Sequence, residues 1–289
     1  MDAARNLYEA VKCDLCGSDR SVTRYRIDTD SLQLARVWVN GAERQLSSTE
    51  TIVQCQNCQL AYTNPRLVAS AGVVAYSFEQ ELLYFEQTRG LRRRAYHRLL
   101  RQIVGWLKHP PSSVLDVGCG DGVLLECAHE LGIQATGLEV SPQLVELVRK
   151  RLGAGAITDQ PLSELPPESY EVVALINVIE HVRRPSEILR SVYRVLRPGG
   201  VIVIHTPNFG GLPARLAGAR WHQIEPYAHF YYFDAHTLTQ LLNKSGFRRV
   251  EQFGLVASRG LKALAQIIIQ SCGIYWDNGL GLTARRPAA

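Results

Sequence analysis

No uninterrupted apolar stretch in the 289 residues comes near the roughly 18 positions that a membrane-spanning helix needs. The first ten residues, MDAARNLYEA, have neither a basic start nor an apolar centre, so no secretory leader is expected. A cytoplasmic protein without a membrane partner is the expectation. Nor does one charge dominate the chain. The net charge of +5 traces to seven Arg and Lys residues between Gln87 and Leu115, a segment with no acid, and the remainder carries 25 basic against 27 acidic side chains. That excludes a chain-wide nucleic-acid signature and leaves one local basic feature. A content of 46% apolar and 20% charged residues is ordinary for a globular chain, long enough for one α/β domain and something smaller.

The stretch SVLDVGCGDGVLLECAHELGIQATGLEVS, Ser113 to Ser141, organises the rest. Val114, Leu115 and Val117 read as a strand, Gly118, Gly120 and Gly122 break it, and Leu124, Leu125, Ala128 and Leu131 recur at helical spacing until Gly132. Ala135 to Val140 supply a second strand and complete a βαβ unit. Glycines are needed where backbone must pass close to a ligand in front of helix N–H groups. Glu139 follows Gly118 by 21 residues, where a carboxylate can accept from both hydroxyls of a ribose. The dinucleotide spacing G-x-G-x-x-G is absent. The glycines run G-x-G-x-G with Asp116 two residues ahead, an acid that repels a pyrophosphate and welcomes an ammonium.

This pattern resembles the first motif of the class I methyltransferases, an acid followed by x-G-x-G-x-G. The resemblance implies S-adenosylmethionine as cofactor, with Asp116, Gly118, Gly120 and Glu139 on it. It also implies an α/β Rossmann-like fold with a seven-stranded, mostly parallel sheet. Asp159, at the end of the third expected strand, matches a position that often contacts the adenine in that family, and Asn177 is grouped with these cofactor-side residues. The segment IEHVRRPSEILRSVYRVLRPGGVIVIHTPN resembles the branch with ubiquinone-biosynthesis O-methyltransferases and deoxysugar C-methyltransferases. In those relatives the matching Glu-His pair serves catalysis, which maps to Glu180 and His181. Some relatives, including small-RNA ribose methyltransferases, hold a divalent metal through Glu-x-x-Glu-His and a later His. Here Asn177 replaces the first Glu, which weakens a Mg²⁺ site. Metal-free base catalysis by His181 is therefore expected, with His229 near the pocket and Trp221, His222 and Tyr227 close by in sequence.

Ahead of this domain, Cys13-x-x-Cys16 and Cys55-x-x-Cys58 suggest four thiolates around a structural, tetrahedral Zn²⁺ with no open position for water. Gly17 follows the first pair as a tight knuckle requires, and Gln59 departs from that in the second. Ser21 to Ile27 and Leu32 to Val39 are expected as hairpin strands between the pairs. Cys119, Cys127 and Cys272 read as buried small hydrophobes. Deoxysugar C-methyltransferases also begin with four cysteines followed by an aromatic segment, here Tyr76, Phe78, Tyr84, Phe85 and Tyr96, which could close over a substrate or pack the connecting helix. They continue into a sugar-nucleotide domain that this chain, stopping soon after its seventh strand, does not show, so that substrate is not carried over.

Three units are expected: a zinc ribbon over 1–66, a helical connecting or lid segment over 67–111, and the cofactor-binding domain over 112–289. Helices are expected at Leu91 to Leu107 (Leu99, Leu100, Ile103 and Leu107 inward, the arginines mainly outward), from Pro142 to Arg151, from Pro185 to Leu196, and from Asp234 to Lys244. Strands are expected at Ala154 to Thr158, Tyr170 to Val178, Val201 to His205, Phe247 to Phe253 and Leu280 to Arg285. Leu261 to Trp276 reads as a lid or an oligomer contact. The expected activity is methyl transfer to a small molecule, a sugar, glycan or secondary-metabolite intermediate. The rivals are an RNA methyltransferase gripping phosphates with the ribbon and the arginine helix, for which the ribbon lacks aromatic-basic interleaving, and an inactive cofactor-binding or assembly protein.

Overall fold

The computed structural model describes residues 8–28, 36–39, 42–45, 49–68, 78–255 and 278–288. Seven strands form the main sheet in the order Ile157–Thr158, Ala135–Leu138, Val114–Val117, Tyr170–Ile176, Leu196–Pro207, Gly279–Arg285, Arg248–Phe253. The first five run parallel, and Gly279–Arg285 is antiparallel to both its neighbours.

Strand alternation splits the core in two. Leu115, Val117, Val173, Leu175, Ile202 and Ile204 face helices Pro185–Val195 and Ala235–Lys244. Val114, Val172, Ala174, Val201 and Val203 face helix Phe78–Leu107, through Leu99, Leu100 and Ile103, and helix Val123–Glu130. Burial on both faces is why the central strands read as continuous apolar runs. Asp116 interrupts that pattern on the second face. It is the one charged position in its strand and is 4% exposed.

A second, antiparallel sheet holds Ser21–Asp28, Thr49–Cys55, Ala61–Thr63 and, on its edge, Tyr231–Tyr232 from the far part of the chain. Cys13, Cys55, Cys58, Leu60 and Tyr62 share one apolar cluster with Tyr231, Phe233 and Leu238, so this unit and the main domain have a continuous core.

Several expected boundaries shift. The long helix begins at Phe78, thirteen residues before Leu91, because Gly90 is exposed and costs only its propensity. The third strand keeps only Ile157–Thr158, with Ala154–Ala156 forming a 3₁₀ turn after Gly153. The fourth ends at Ile176, where Asn177 turns to φ +55°. The fifth extends to Leu196–Pro207. Ser21–Asp28 pairs with Thr49–Cys55, and Arg36–Val39 with Ala42–Gln45, so the two expected hairpin strands do not pair with each other. Asp234 caps helix Ala235–Lys244 through a reciprocal capping box with Thr237. Cys119 and Cys127 are buried. Leu32, Tyr76, Cys272 and the Leu261 to Trp276 insert lie outside the described residues.

Candidate active site

The Val114–Val117 strand delivers the chain to the glycine turn at the carboxyl edge of the sheet, where open α/β folds bind ligands. Gly118 and Gly120 have φ of +71° and +55°. Neither tolerates a side chain: a Cβ on Gly118 would stand 2.6 Å from Val178 Cγ2, and one on Gly120 would stand 2.9 Å from Phe85 Cζ. Gly118 N–H donates to Leu138 O at 2.7 Å, and Gly120 N–H donates to Glu139 Oε2 at 3.0 Å. Glu139 Oε1 accepts from Val140 and Ser141 N–H at 2.8 and 3.0 Å. The carboxylate therefore locks the turn against the next strand, and its remaining lone pairs are what a ribose would meet.

Burial pushes the Asp116 carboxyl up to about 8, with repulsion from Glu139 and Asp121 adding to it. An ammonium placed beside it relieves that strain and a phosphate would increase it. Between about 3.8 and about 8 the folded chain holds a proton at Asp116 that the unfolded chain has released, so stability falls as pH rises through that window. Glu180, raised by burial to about 8, acts in the same direction. His181, His205 and His229 are lowered by burial to about 4, so they favour the folded state increasingly as pH rises, but only up to their ordinary value of 6.5. Apart from the cysteine cluster, these groups set the ligand-free optimum near pH 6.5 with a decline toward pH 8. Thermal unfolding at half-unit pH steps checks this, and a midpoint that climbs from pH 6.5 to 8 contradicts it.

Arg94, Arg98 and Arg101 are exposed, as expected for an outward basic face, while Arg89, Arg92 and Arg93 at the start of the segment turn to acids of the glycine-turn region. Arg92 grips Asp121 with both terminal nitrogens at 2.6 and 2.9 Å, and its guanidinium lies 4.9 Å from the Phe85 ring centroid. Arg89 and Arg93 pair with Glu126, and Arg93 reaches Glu130 at 2.7 Å. Asp121 is 3% exposed, so its charge needs that partner. The pairing fastens the long helix to the glycine turn and sets Phe85 over Gly120. Phe85 was legible only as one member of an aromatic run. Asp121 and Arg92 gave no signal beyond their charge.

Across Val178 lies the second half of the site. His181 N–H donates to Val178 O at 2.9 Å in the turn after the fourth strand. Glu180 is 1% exposed. Its Oε2 accepts from Thr206 Oγ1 at 3.0 Å, while Oε1 has no hydrogen-bond partner and lies 3.8 Å from His181 Nε2. His181 Nδ1 meets Ala228 O and His229 Nδ1 meets Gln223 O, each at 2.9 Å. A carbonyl only accepts, so Nδ1 carries the proton in both rings and each Nε2 keeps its lone pair. The rings stand edge to face at 4.7 Å. His181 is two-fifths exposed at its side chain, yet withdrawal from water in the cleft and the facing His229 keep it neutral at pH 7. The donor atoms of Glu180, His181 and His229 all lie within 4.8 Å of one another, a set that could hold a divalent cation.

The other expected site residues are less central. Asn177 is exposed and its Oδ1 meets His205 Nδ1 at 3.1 Å. Asp159 is exposed at the end of its strand, 3.4 Å from Arg149. Trp221 and Tyr227 are buried, and His222 is exposed. Thr206, which orients Glu180, sits in the fifth strand and carried no sequence signal of its own.

In the N-terminal unit the four sulfurs converge. Cys13 and Cys58 Sγ are 3.4 Å apart, Cys16 and Cys55 Sγ 3.5 Å, and all four lie within 4.8 Å of one another. Two knuckles present them in matching geometry. Cys13 N–H donates to Ser18 O and Gly17 N–H to Cys13 O, while Cys55 N–H donates to Leu60 O and Gln59 N–H to Cys55 O. Gln59 adopts φ +69° where Gly17 has +76°, so the unfavourable residue still makes the turn. Burial pushes the Cys13 thiol far up and Cys58 up to about 11. A divalent ion supplies the charge that deprotonates such thiols, and the donor set fits tetrahedral zinc.

The main domain resembles known proteins. The family model described as "Methyltransferase domain" matches residues 84–252. The ubiquinone biosynthesis O-methyltransferase of Pseudomonas entomophila is 34% identical over 116 residues, 36% of this chain and 50% of that protein. A probable S-adenosylmethionine-dependent methyltransferase of Mycolicibacterium smegmatis is 32% identical over 171 residues, 58% of this chain and 62% of that protein. The chain thus spans about half the length of the first of these curated relatives. Among solved structures, a SAM-dependent methyltransferase from Archaeoglobus fulgidus superposes with a TM-score of 0.52 at 22% identity, over 70% of this chain and 99% of that one. Human N-acetylserotonin methyltransferase superposes at 0.52 and 15% identity, over 73% of this chain and 57% of that one, which shows a shared fold. A parallel sheet with one reversed strand, an acid before an alternating glycine turn and a matched family model spanning more than half its residues lead to one assignment: the chain belongs to the methyltransferase-domain family.

Proposed function

We propose that the chain transfers a methyl group from S-adenosylmethionine to a neutral small molecule, a sugar, glycan or secondary-metabolite intermediate, with His181 taking up the acceptor's proton. The observation that carries this reading is the contact of the two half-sites through Val178: the Asp116–Gly118–Gly120–Glu139 turn on one side, Glu180 and His181 on the other. When bound, S-adenosylmethionine supplies an electrophilic methyl on a sulfonium. Asp116 would hold its cationic amino-acid end, and Glu139 would accept from its ribose. The Phe85 ring, from the first turns of the long helix, packs over Gly120. His181 Nε2, its Nδ1–H anchored on Ala228 O, would take the proton that the acceptor loses on methylation, the sulfonium leaving as a neutral thioether. The names of the relatives in ubiquinone biosynthesis and S-adenosylmethionine chemistry favour the same reaction class.

His181→Ala is expected to lower the methyl-transfer rate by roughly 10²–10⁴-fold while the S-adenosylmethionine dissociation constant stays within about twofold. Transfer of radiolabelled methyl to a panel of phenols, sugars and hydroxy acids provides the assay. An unchanged rate on every turned-over acceptor would sink the assignment of His181.

A second reading has its own observation. Glu180 Oε1 is buried without a hydrogen-bond partner, and ligand atoms of His181 and His229 lie within 4.8 Å of the carboxylate, so a divalent cation there would polarise the acceptor oxygen in place of a free base. Retention of the full rate after exhaustive chelation favours the first reading. For the RNA alternative, Arg89, Arg92 and Arg93 are spent on Asp121, Glu126 and Glu130, which leaves the exposed Arg94, Arg98 and Arg101 on that helix. Among the described residues no helix is long and apolar enough to cross a membrane.

A further inference from the structure

The four-cysteine unit and the histidine pair meet at one residue. Thr63, the last residue of strand Ala61–Thr63, has no exposed surface. Its Oγ1 donates to His229 O and its N–H donates to Phe230 O, both at 3.0 Å. Beyond it the strand pairs Tyr62 with Tyr231 and Ala61 with Tyr232. From the opposite side, Glu180 O accepts from Phe230 and Tyr231 N–H at 2.8 and 3.3 Å. The His229 backbone is thus clamped between a strand that grows out of the second cysteine knuckle and the backbone of Glu180 itself.

We propose that Thr63 is a positioning residue for His229, which makes the cysteine-rich unit a wall of the acceptor site. This rests on the reading that Glu180, His181 and His229 handle the acceptor. Among the described residues, the Thr63 hydroxyl alone ties the His229 carbonyl to the cysteine unit, and the neighbouring backbone bond goes to Phe230 O. Without that donor the carbonyl is left bare in a dry interior, and residue 229 gains freedom to turn its ring away from His181. A displacement of about 1 Å at such a position can cost on the order of 10² in rate. The clamp is reinforced next door: Arg66 and Arg183 flank the Phe230 ring at 5.4 and 5.0 Å, and both bind Glu9 Oε1. The cofactor-side carboxylates Asp116 and Glu139 are placed instead by strand Val114–Val117 and by the end of strand Ala135–Leu138, so the unit's influence falls on the acceptor half.

The test compares Thr63→Val, which keeps shape and backbone but loses the donor, with Thr63→Ser, which keeps the donor. Tyr62→Phe is the control, since the Tyr62 hydroxyl has no partner. Two readouts are taken on the full chain with its metal: the ring-to-ring cross-relaxation between His181 and His229 in histidine-labelled protein, and S-adenosylmethionine affinity by calorimetry. In Thr63→Val the ring cross-peak is expected to fall by at least half, with affinity within twofold of the parent. Thr63→Ser and Tyr62→Phe are expected to match the parent on both. Should Thr63→Val not fold, Thr63→Ala bares the same carbonyl and stands in for it. An undiminished cross-peak overturns the proposal, as does an equal loss in Thr63→Ser or Tyr62→Phe. Failure of the parent to bind S-adenosylmethionine would instead overturn the cofactor reading, because the ring readout needs no cofactor.

Discussion

Cys58→Ser is expected to empty the four-cysteine site and to lower the unfolding midpoint of the whole chain by more than about 10 °C. Structural zinc sites contribute an apparent 10–16 kcal/mol or so in isolated peptides, and 1 kcal/mol moves the midpoint of a chain of this class by roughly 2–4 °C. The effect should not stay local. Cys58, Leu60 and Tyr62 lie in the same apolar cluster as Tyr231, Phe233 and Leu238, and strand Ala61–Thr63 pairs with Tyr231–Tyr232. Loss of the knuckle therefore exposes part of the main domain's core. Metal analysis of the purified chain should find one zinc in the parent and none in Cys58→Ser. A zinc-free variant that unfolds within 2 °C of the parent would show that the thiols are only small buried hydrophobes.

Asp116→Asn should show opposite effects with and without cofactor. Removing one partner of a buried charge pair costs about 3–5 kcal/mol, so S-adenosylmethionine affinity should fall by two or more orders of magnitude. The ligand-free protein should gain stability at pH 8, because Asp116 sits 4% exposed among Glu139 and Asp121 and is disfavoured there as an anion. Stability surrendered at a site that only the ligand completes is the mark of a binding residue. Calorimetry and thermal unfolding at pH 8 report the two halves separately. A variant that both binds normally and melts lower would make Asp116 a structural residue.

Much of this was legible from spacing. The run from Val114 to Val140 yielded its strand, turn, helix and strand because each glycine and each apolar position obeys one local rule, and the two cysteine pairs converge as their spacing required. What escaped was contact between distant segments. The pairing of Arg89, Arg92 and Arg93 with acids about thirty residues on depends on how a helix docks, and an Arg-rich run carries no mark of that. Thr63 holding His229 across 166 positions has no local signature. His229, named from the sequence as a later partner of Glu180 and His181, does lie with them, and Asn177 turns instead toward His205. Gln59 read as a flaw in the second knuckle, yet its backbone makes the same turn as Gly17, because the sulfur geometry outweighs a left-handed cost of about 1 kcal/mol.

The account turns on which ligand seats itself between Asp116 and Glu139. Titrating the purified chain with S-adenosylmethionine and, separately, with NAD⁺ at pH 8 decides it. Saturable heat at one site per chain for the sulfonium compound, and none for the dinucleotide, is the predicted result. Uptake of NAD⁺ with no response to S-adenosylmethionine would contradict it.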